Sequence, residues 1–452
     1  MAFDPQAYRP ESAILSLGDP FYDVVEAARF PQTSIRYRND RAAAEVGLDE
    51  LDDESWAAHF GRFEPLPGSL PQPLALRYHG HQFRTYSPDI GDGRGFTFAQ
   101  LRDRAGRLMD LGTKGSGTTP WSRFGDGRLT LKGAVREVLA SEMLEALNVP
   151  TSRSLSLIET GETLFREDEP SPARAAVLVR LSHGHIRIGT FQRLAFERDA
   201  HAMRRLVRYV MRELYGEDSD DPVALLTQVV ERAARMTATY LAAGFVHGVL
   251  NSDNINVTGE SFDYGPWRFA PSWDAGFTAA YFDEEGLYAF GRQPEAVHWN
   301  VKQLAASLRL ITRADPLIQA IDGFAAAYQP AFTQAMLWRL GRRSASPDAD
   351  CALVQATEAA LLATQASIDQ FFFDAFAQPL PDSYGAAWDR VRTLLAAAPP
   401  RVERTHDYWS GAPCAMPIDE VEAIWAAIRD ADDWAPFHAK IAAIRAMGAA
   451  LR

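Results

Sequence analysis

His247-Gly248-Val249-Leu250-Asn251-Ser252-Asp253-Asn254, with Phe262-Asp263-Tyr264-Gly265 close behind it, is the stretch on which the fold turns. It sets polar, turn-forming residues inside sequence otherwise patterned for helices. Directly before it a long helix is predicted: Asp221-Pro222 make an N-cap and first-turn pair, Leu226, Val229, Val230, Ala233 and Tyr240 share one face, and Gly244 ends it. From about Pro294 to Arg452 the chain reads as Ala-rich amphipathic helix, broken at Pro379–Pro381 and Pro399-Pro400. Upstream, between about Leu74 and Thr190, short apolar runs split by Asp-Gly turns predict strands, for example Phe96–Leu101 and Ala175–Leu181. One helix interrupts them, from Leu129 to Leu147, with Val135, Val138, Leu139 and Met143 on a stripe and Asn148 and Pro150 as stops. Before Leu74 the chain is punctuated by prolines, with short helices predicted around Asp23–Ala28 and Arg41–Val46.

A strand-rich half carrying one helix, then a helical half whose first long helix opens on a polar loop, is the layout of an α+β, protein-kinase-like fold of two lobes. The expected divisions are an N-terminal extension packed on the core (1–73), a strand-rich, nucleotide-binding N-lobe (74–199), and a helical C-lobe with the polar loop and a C-terminal helical extension (200–452). Such folds place a base aspartate and a metal-binding asparagine ahead of a metal-binding Asp-Phe-Gly, because phosphoryl chemistry needs a poised hydroxyl and a divalent ion on the phosphates. Here Asn254 and Asp263 hold the metal-ligand places. Val249 stands where small-molecule kinases carry their aspartate, and a hydrocarbon cannot accept a proton. Asp253 is the carboxylate the loop does offer, although a local turn hydrogen bond would account for it equally well.

Three further segments point to phosphate. Gly91-Asp92-Gly93-Arg94 and Gly125-Asp126-Gly127-Arg128 each combine glycines that admit backbone N–H groups to an anion with an arginine, though each alone reads as a hairpin turn. Neither is a P-loop. Lys114, flanked by Gly112 and Gly115, ends an apolar run, and in a kinase-like fold such a strand lysine pairs with a glutamate of the lone helix. Glu137, Glu142 and Glu145 all lie on that helix, and periodicity does not choose among them.

Composition limits the partners. With 452 residues, 47% hydrophobic, the chain can bury two or three cores. A net charge of −13 argues against a nucleic acid or an anionic membrane surface, so a phosphate site has to be a local basic pocket. Two cysteines, Cys351 and Cys414, with no paired motif, suggest a reducing cytoplasm. The first residues show no secretory pattern, no run spans a membrane, and a monomer is the expected state.

Taken together, Gly80-His81-Gln82-Phe83, Lys114–Arg123, Gly125–Arg128, His247–Asn254 and Asp263-Tyr264-Gly265-Pro266 resemble the selenoprotein O (YdiU) family, most clearly from Arg77 to Leu304. The resemblance implies a pseudokinase that binds ATP in reversed orientation and transfers AMP to Ser, Thr or Tyr of protein substrates, or UMP from UTP, with Mg²⁺, alternatively Mn²⁺. It implies that Gly91, Gly93, Arg94, Asp126 and Gly127 bind the nucleotide and that Lys114 holds its phosphates and pairs with Glu137. It further implies that Arg180 and Arg187 grip the outer phosphates, that Asp253 accepts the proton, and that Asn254 and Asp263 bind the metal. The chain departs from the family at Arg84, where glycine is usual, and at Asp89, where glutamine is usual, which bears on substrate entry. Ala443–Arg452 lacks the family's terminal cysteine or selenocysteine, so terminal redox control is not expected. The rival readings are a phosphotransferase like the aminoglycoside kinases and a silent nucleotide-binding scaffold.

Overall fold

A strand persists where its ladder is satisfied and its side chains are covered, and all seven residues of Leu108–Lys114 are buried. They run antiparallel to Thr97–Arg102 on one side and Ala173–Ser182 on the other. The turn into this strand is fixed by Asp103, which accepts from the Arg107 backbone N–H at 2.9 Å and its guanidinium at 2.8 Å. The computed structural model, which describes residues 3–4, 6–167 and 169–452, extends the trio into a larger antiparallel sheet. Its order is Tyr22–Val24, Leu74–Leu76, Thr97–Arg102, Leu108–Lys114, Ala173–Ser182, Arg153–Leu164, Ser34–Arg38. Pro10–Glu11 also pairs with Thr97–Arg102, and Leu129–Thr130 with Ala173–Ser182.

Alternation along these strands feeds two cores. Val177, Val179 and Leu181 enter the outer one, where Ala42, Val46, Trp56, Phe60 and Phe63 cover the sheet, while Ala176 and Leu178 enter the inner one. The first 73 residues therefore close the outer face, through helices Asp40–Ala44 and Asp53–Phe60, and add a strand at each end of the sheet. The helix expected at Asp23–Ala28 does not form. Tyr22–Val24 is instead a strand on Leu74–Leu76, with the Asp23 carboxylate taken by Arg77 Nε and Trp121 Nε1, both at 2.9 Å, so tertiary pairing overrides local preference.

The inner face carries helix Leu131–Ala146, started by Thr130, whose hydroxyl accepts from the Gly133 N–H at 3.2 Å. Behind it the inner core continues without a break into the helical lobe. There Pro222–Ala243, capped by Asp221 and ended by Gly244 at φ 70°, packs on Gln293–Leu308 and Phe324–Arg339. Among the described residues no helix is long and apolar enough to cross a membrane. The last helix, Ala435–Ala450, returns to the strand-rich lobe and lies on Leu131–Ala146, with Gly448 against Ala146. Arg445 of this last helix meets the buried Glu142 in a fork, Nε to Oε2 at 2.9 Å and NH2 to Oε1 at 2.8 Å, and the Tyr37 hydroxyl donates to the same carboxylate at 2.5 Å. Burial alone would lift the Glu142 pKa, but Arg445 and Tyr37 more than offset it and hold it below its ordinary value.

Arg445→Ala should therefore strand a buried carboxylate and cost about 2–4 kcal/mol at neutral pH, read as a lowered denaturation midpoint. Because Glu142 is depressed in the folded protein, its stabilising charge is complete above the unfolded pKa of about 4.3 and is lost as pH falls through the folded value. The gap between wild type and variant should thus be full at pH 7 and narrow in acid.

Candidate active site

Register places the cations. Arg180 pairs with Gly112 and Leu178 with Lys114 across adjacent strands, so Lys114 and Arg180, two steps apart in register, project from the same face into the space between the lobes. The helix below supplies Glu137, whose Oε2 lies 2.6 Å from Lys114 Nζ and whose Oε1 lies 3.4 Å from Arg180. Of the three glutamates periodicity left open, the structure brings only this one to Lys114. Glu142 faces Arg445, and Glu145 lies 3.0 Å from Arg41.

Arg187 stands at the entrance to helix Ile188–Glu197 and is fixed from several sides. Its guanidinium lies 4.4 Å from the Tyr78 ring centroid and 4.7 Å from that of Phe262, and it donates to the Asp253 carbonyl at 3.0 Å and to Asp92 Oδ1 at 3.1 Å. Asp92 is in turn held by the Leu76 N–H at 3.0 Å. All three cations converge on Asp263: Lys114 at 3.0 Å and Arg180 at 2.5 Å on Oδ1, and Arg187 at 2.5 Å on Oδ2. Burial favours the neutral acid at Asp263, but Arg180, Lys114 and Arg187 prevail and keep its pKa well below the carboxylate range. Asp263 also has a φ of 60°, left-handed for a non-glycine residue, a local cost that the three ion pairs sustain.

Asp253, whose backbone carbonyl Arg187 holds, is 8% exposed, and its Oδ1 has no hydrogen-bond partner. Burial lifts its pKa to about 6, against a smaller opposing pull from Arg187. Gly80 lies so close that a Cβ there would stand 2.7 Å from Asp253 Oδ1. Asn254 donates through Nδ2 to the Val249 carbonyl at 3.0 Å, which leaves its carbonyl oxygen as a ligand atom. His247 is structural: its Nε2 lies 3.0 Å from the Phe262 carbonyl, tying the loop to the Asp263 segment.

The two glycine-rich segments interlock rather than standing as separate hairpins. Thr119 Oγ1 donates to the Asp92 carbonyl at 2.6 Å and Ser122 Oγ to the Gly93 carbonyl at 2.5 Å, while Gly91 admits the Trp121 ring, 2.5 Å from where a Cβ would sit. Gly127, at φ 68°, crosses Gly117 so tightly that any Cβ would stand 2.2 Å from its carbonyl carbon. Asp126 lines the cleft, yet its carboxylate is occupied by Arg166 at 2.9 and 3.0 Å, so its side chain braces the loop.

These parts enclose a cleft of about 770 Å³ lined by Gly91, Gly93, Arg94, Lys114, Asp126, Gly127, Arg180, Arg187, Asp253, Asn254 and Asp263, with Glu137 beneath Lys114. Sequence reasoning missed Asp92, Tyr78, Trp121 and Arg166. Asp92 and Trp121 carried a signal, the one as the acidic residue inside its glycine motif, the other inside the Lys114–Arg123 segment. Seven cationic side chains against four carboxylates line the cleft, the local basic pocket that an acidic protein needs for a polyphosphate. Among the described residues no group of three or more His, Cys, Asp or Glu could hold a metal alone. The donors at hand, one carboxylate and one carboxamide oxygen, suit a hard divalent ion whose remaining ligands are phosphate and water. Asp263→Ala should accordingly abolish the divalent-ion dependence of triphosphate binding while metal-free binding to the three cations persists, as measured by calorimetry with and without the ion.

The chain is 41% identical to a protein nucleotidyltransferase YdiU of Synechocystis over 95% of its length and 96% of the relative's. It is 42% identical to that of Gloeobacter violaceus (96% and 94%) and 43% identical to that of Synechococcus elongatus (95% and 93%). Likeness thus extends well beyond the Arg77–Leu304 stretch where the motifs concentrate. A Toxoplasma gondii rhoptry antigen kinase domain aligns with 66% of this chain and 96% of its own, at 11% identity and a TM-score of 0.29, too loose a superposition to argue from. The family described as protein adenylyltransferase SelO matches residues 6–409, and with relatives this similar over nearly the whole chain, the protein belongs to that family.

Proposed function

We propose that the protein transfers AMP from ATP to Ser, Thr or Tyr hydroxyls of other proteins and releases pyrophosphate. The observation that carries this reading is the set of groups the cleft assembles: Asp253, the loop's buried carboxylate, whose Oδ1 has no hydrogen-bond partner, and three fixed cations gathered on Asp263. The acceptor oxygen attacks the α-phosphorus, its proton passes to Asp253, and the bond from the α-phosphorus to the bridging oxygen of the leaving pyrophosphate breaks. Lys114, Arg180 and Arg187 meet the charge that grows on that pyrophosphate. They are held in place before reaction by Glu137, Asp92 and the Tyr78 and Phe262 rings, so little reorganisation is needed when the charge appears. Asn254 and Asp263 would hold Mg²⁺, or Mn²⁺, which supplies further neutralisation of the phosphates when bound. Two free cysteines suit a reducing cytoplasm as the place of action.

Val249 lines the same cleft and cannot take a proton, which disfavours γ-phosphoryl transfer from the usual kinase position. Parallel incubations with α-labelled and γ-labelled ATP decide the matter. Only α-label should reach protein, with the mass gain of AMP, and Asp253→Ala should lose at least about 10²-fold in rate while still binding nucleotide. Transfer of γ-label would establish the phosphotransferase, and transfer of neither, with ATP still bound, the scaffold.

A further inference from the structure

The hairpin of Gly80–Gln82 and Thr85–Ser87 carries the reading past the cleft to its rim. Gln82 lines the cleft, and the next two residues, Phe83 and Arg84, make the turn with φ of 48° and 63°. The Phe83 N–H donates to Asn251 Oδ1 at 3.0 Å, and the Tyr288 hydroxyl donates to the same oxygen at 2.8 Å, two residues before Asp253. The hairpin tip is therefore pinned to the loop that bears the proton acceptor.

Around this tip the protein exposes aromatic surface. Phe83 is 37% exposed, Phe282 46% and Tyr281 88%, with ring centroids 5.8 Å apart for Phe83–Phe282 and 5.1 Å for Tyr281–Phe282. Grouped aromatic side chains left in water beside a catalytic cleft mark a contact surface. Glu284 and Glu285, two and three residues beyond Phe282, are exposed and have no ion pair among the described residues, whereas Arg84 at the tip is occupied by Glu295 at 3.3 Å and by the Trp299 ring at 5.5 Å.

We propose that this rim docks the acceptor polypeptide, taking an aromatic or branched aliphatic side chain near the target hydroxyl on Phe83, Tyr281 and Phe282, with a Lys or Arg beside it opposite Glu284 and Glu285. The inference rests on the AMP-transfer reading and names its substrate class. Continuity with the cleft through Gln82 and Asn251 fixes where the hydroxyl must enter, and the unpaired carboxylates fix the sign of charge that complements the rim. Arg84, in a turn position that favours glycine, holds the tip at Trp299 and so sets the platform's edge.

The test uses full-length protein, α-labelled ATP and synthetic peptides with a central serine flanked by Leu and Arg, by Ala and Arg, or by Leu and Glu. Whole-cell protein serves as the common control acceptor. Wild type should favour the Leu–Arg peptide by about tenfold in kcat/KM over either alternative. Tyr281→Ser with Phe282→Ser should erase the Leu preference through KM while kcat and nucleotide affinity hold. Glu284→Lys with Glu285→Lys should turn the charge preference toward the Leu–Glu peptide. Equal labelling of all peptides by wild type, labelling of whole-cell protein but of no peptide, or preferences unchanged in both variants would overturn the docking surface alone. No α-label on any acceptor, cell protein included, would overturn the AMP-transfer reading and the docking surface with it.

Discussion

The carboxylate of Asp263, held by Lys114, Arg180 and Arg187, is the interaction on which the site's organisation depends. Its members come from a strand, the neighbouring strand, the entrance to helix Ile188–Glu197 and the segment after the polar loop, so one buried knot of charge ties the sheet to that loop. Removing charges from water costs several kcal/mol each, and such a cluster stands only where every member has partners. Glu137 and Asp92 provide the remaining negative charge, and the Tyr78 and Phe262 rings cover the guanidinium of Arg187. Three cations against Asp263, Glu137 and Asp92 leave the knot near balance, so a polyphosphate brought in with its own divalent ion can replace carboxylate contacts without leaving the interior strongly charged.

That balance explains why so much structure surrounds one helix. Glu137 meets Lys114 only if Leu131–Ala146 keeps its place, and the helix is held on its far side by Arg445 and Tyr37 at Glu142 and by Gly448 at Ala146. The N-terminal segment and the last helix, distant in sequence, thus meet at Glu142. Low-dielectric surroundings make such contacts effective, and they also make their loss expensive.

Sequence carried the polar loop, the lone helix and the cations well, because their signals are local: a cap, a stripe, a charged residue beside glycine. It could not choose Glu137 over Glu142, since the two lie roughly 140° apart around a helix buried on both sides and each needs a cationic partner. Only the register of Arg180 on Gly112 and the return of Arg445 separate them. The strand at Tyr22–Val24 was hidden for a related reason: it is imposed by Leu74–Leu76, Arg77 and Trp121 rather than by its own residues. Asp92 looked like a turn residue until Arg187 was seen against it. In each case the deciding contact joins residues more than thirty positions apart, where no periodicity reaches.

The relocation of the loop's carboxylate and the gathering of cations belong to one requirement. A base at position 249 would serve an acceptor facing the terminal phosphate, and the fixed positive charge would then sit beside the group being transferred. On the AMP-transfer reading, with the carboxylate at Asp253 and the cations gathered on Asp263, the same loop would serve an acceptor facing the α-phosphorus, and the positive charge would meet what departs. Charge grows on the leaving group as its bond lengthens, so cations preset there favour the transition state over the bound nucleotide. On the same reading, an acidic protein with a basic cleft would admit the triphosphate there and leave its outer surface, including the carboxylates beside Phe282, to discriminate among polypeptides.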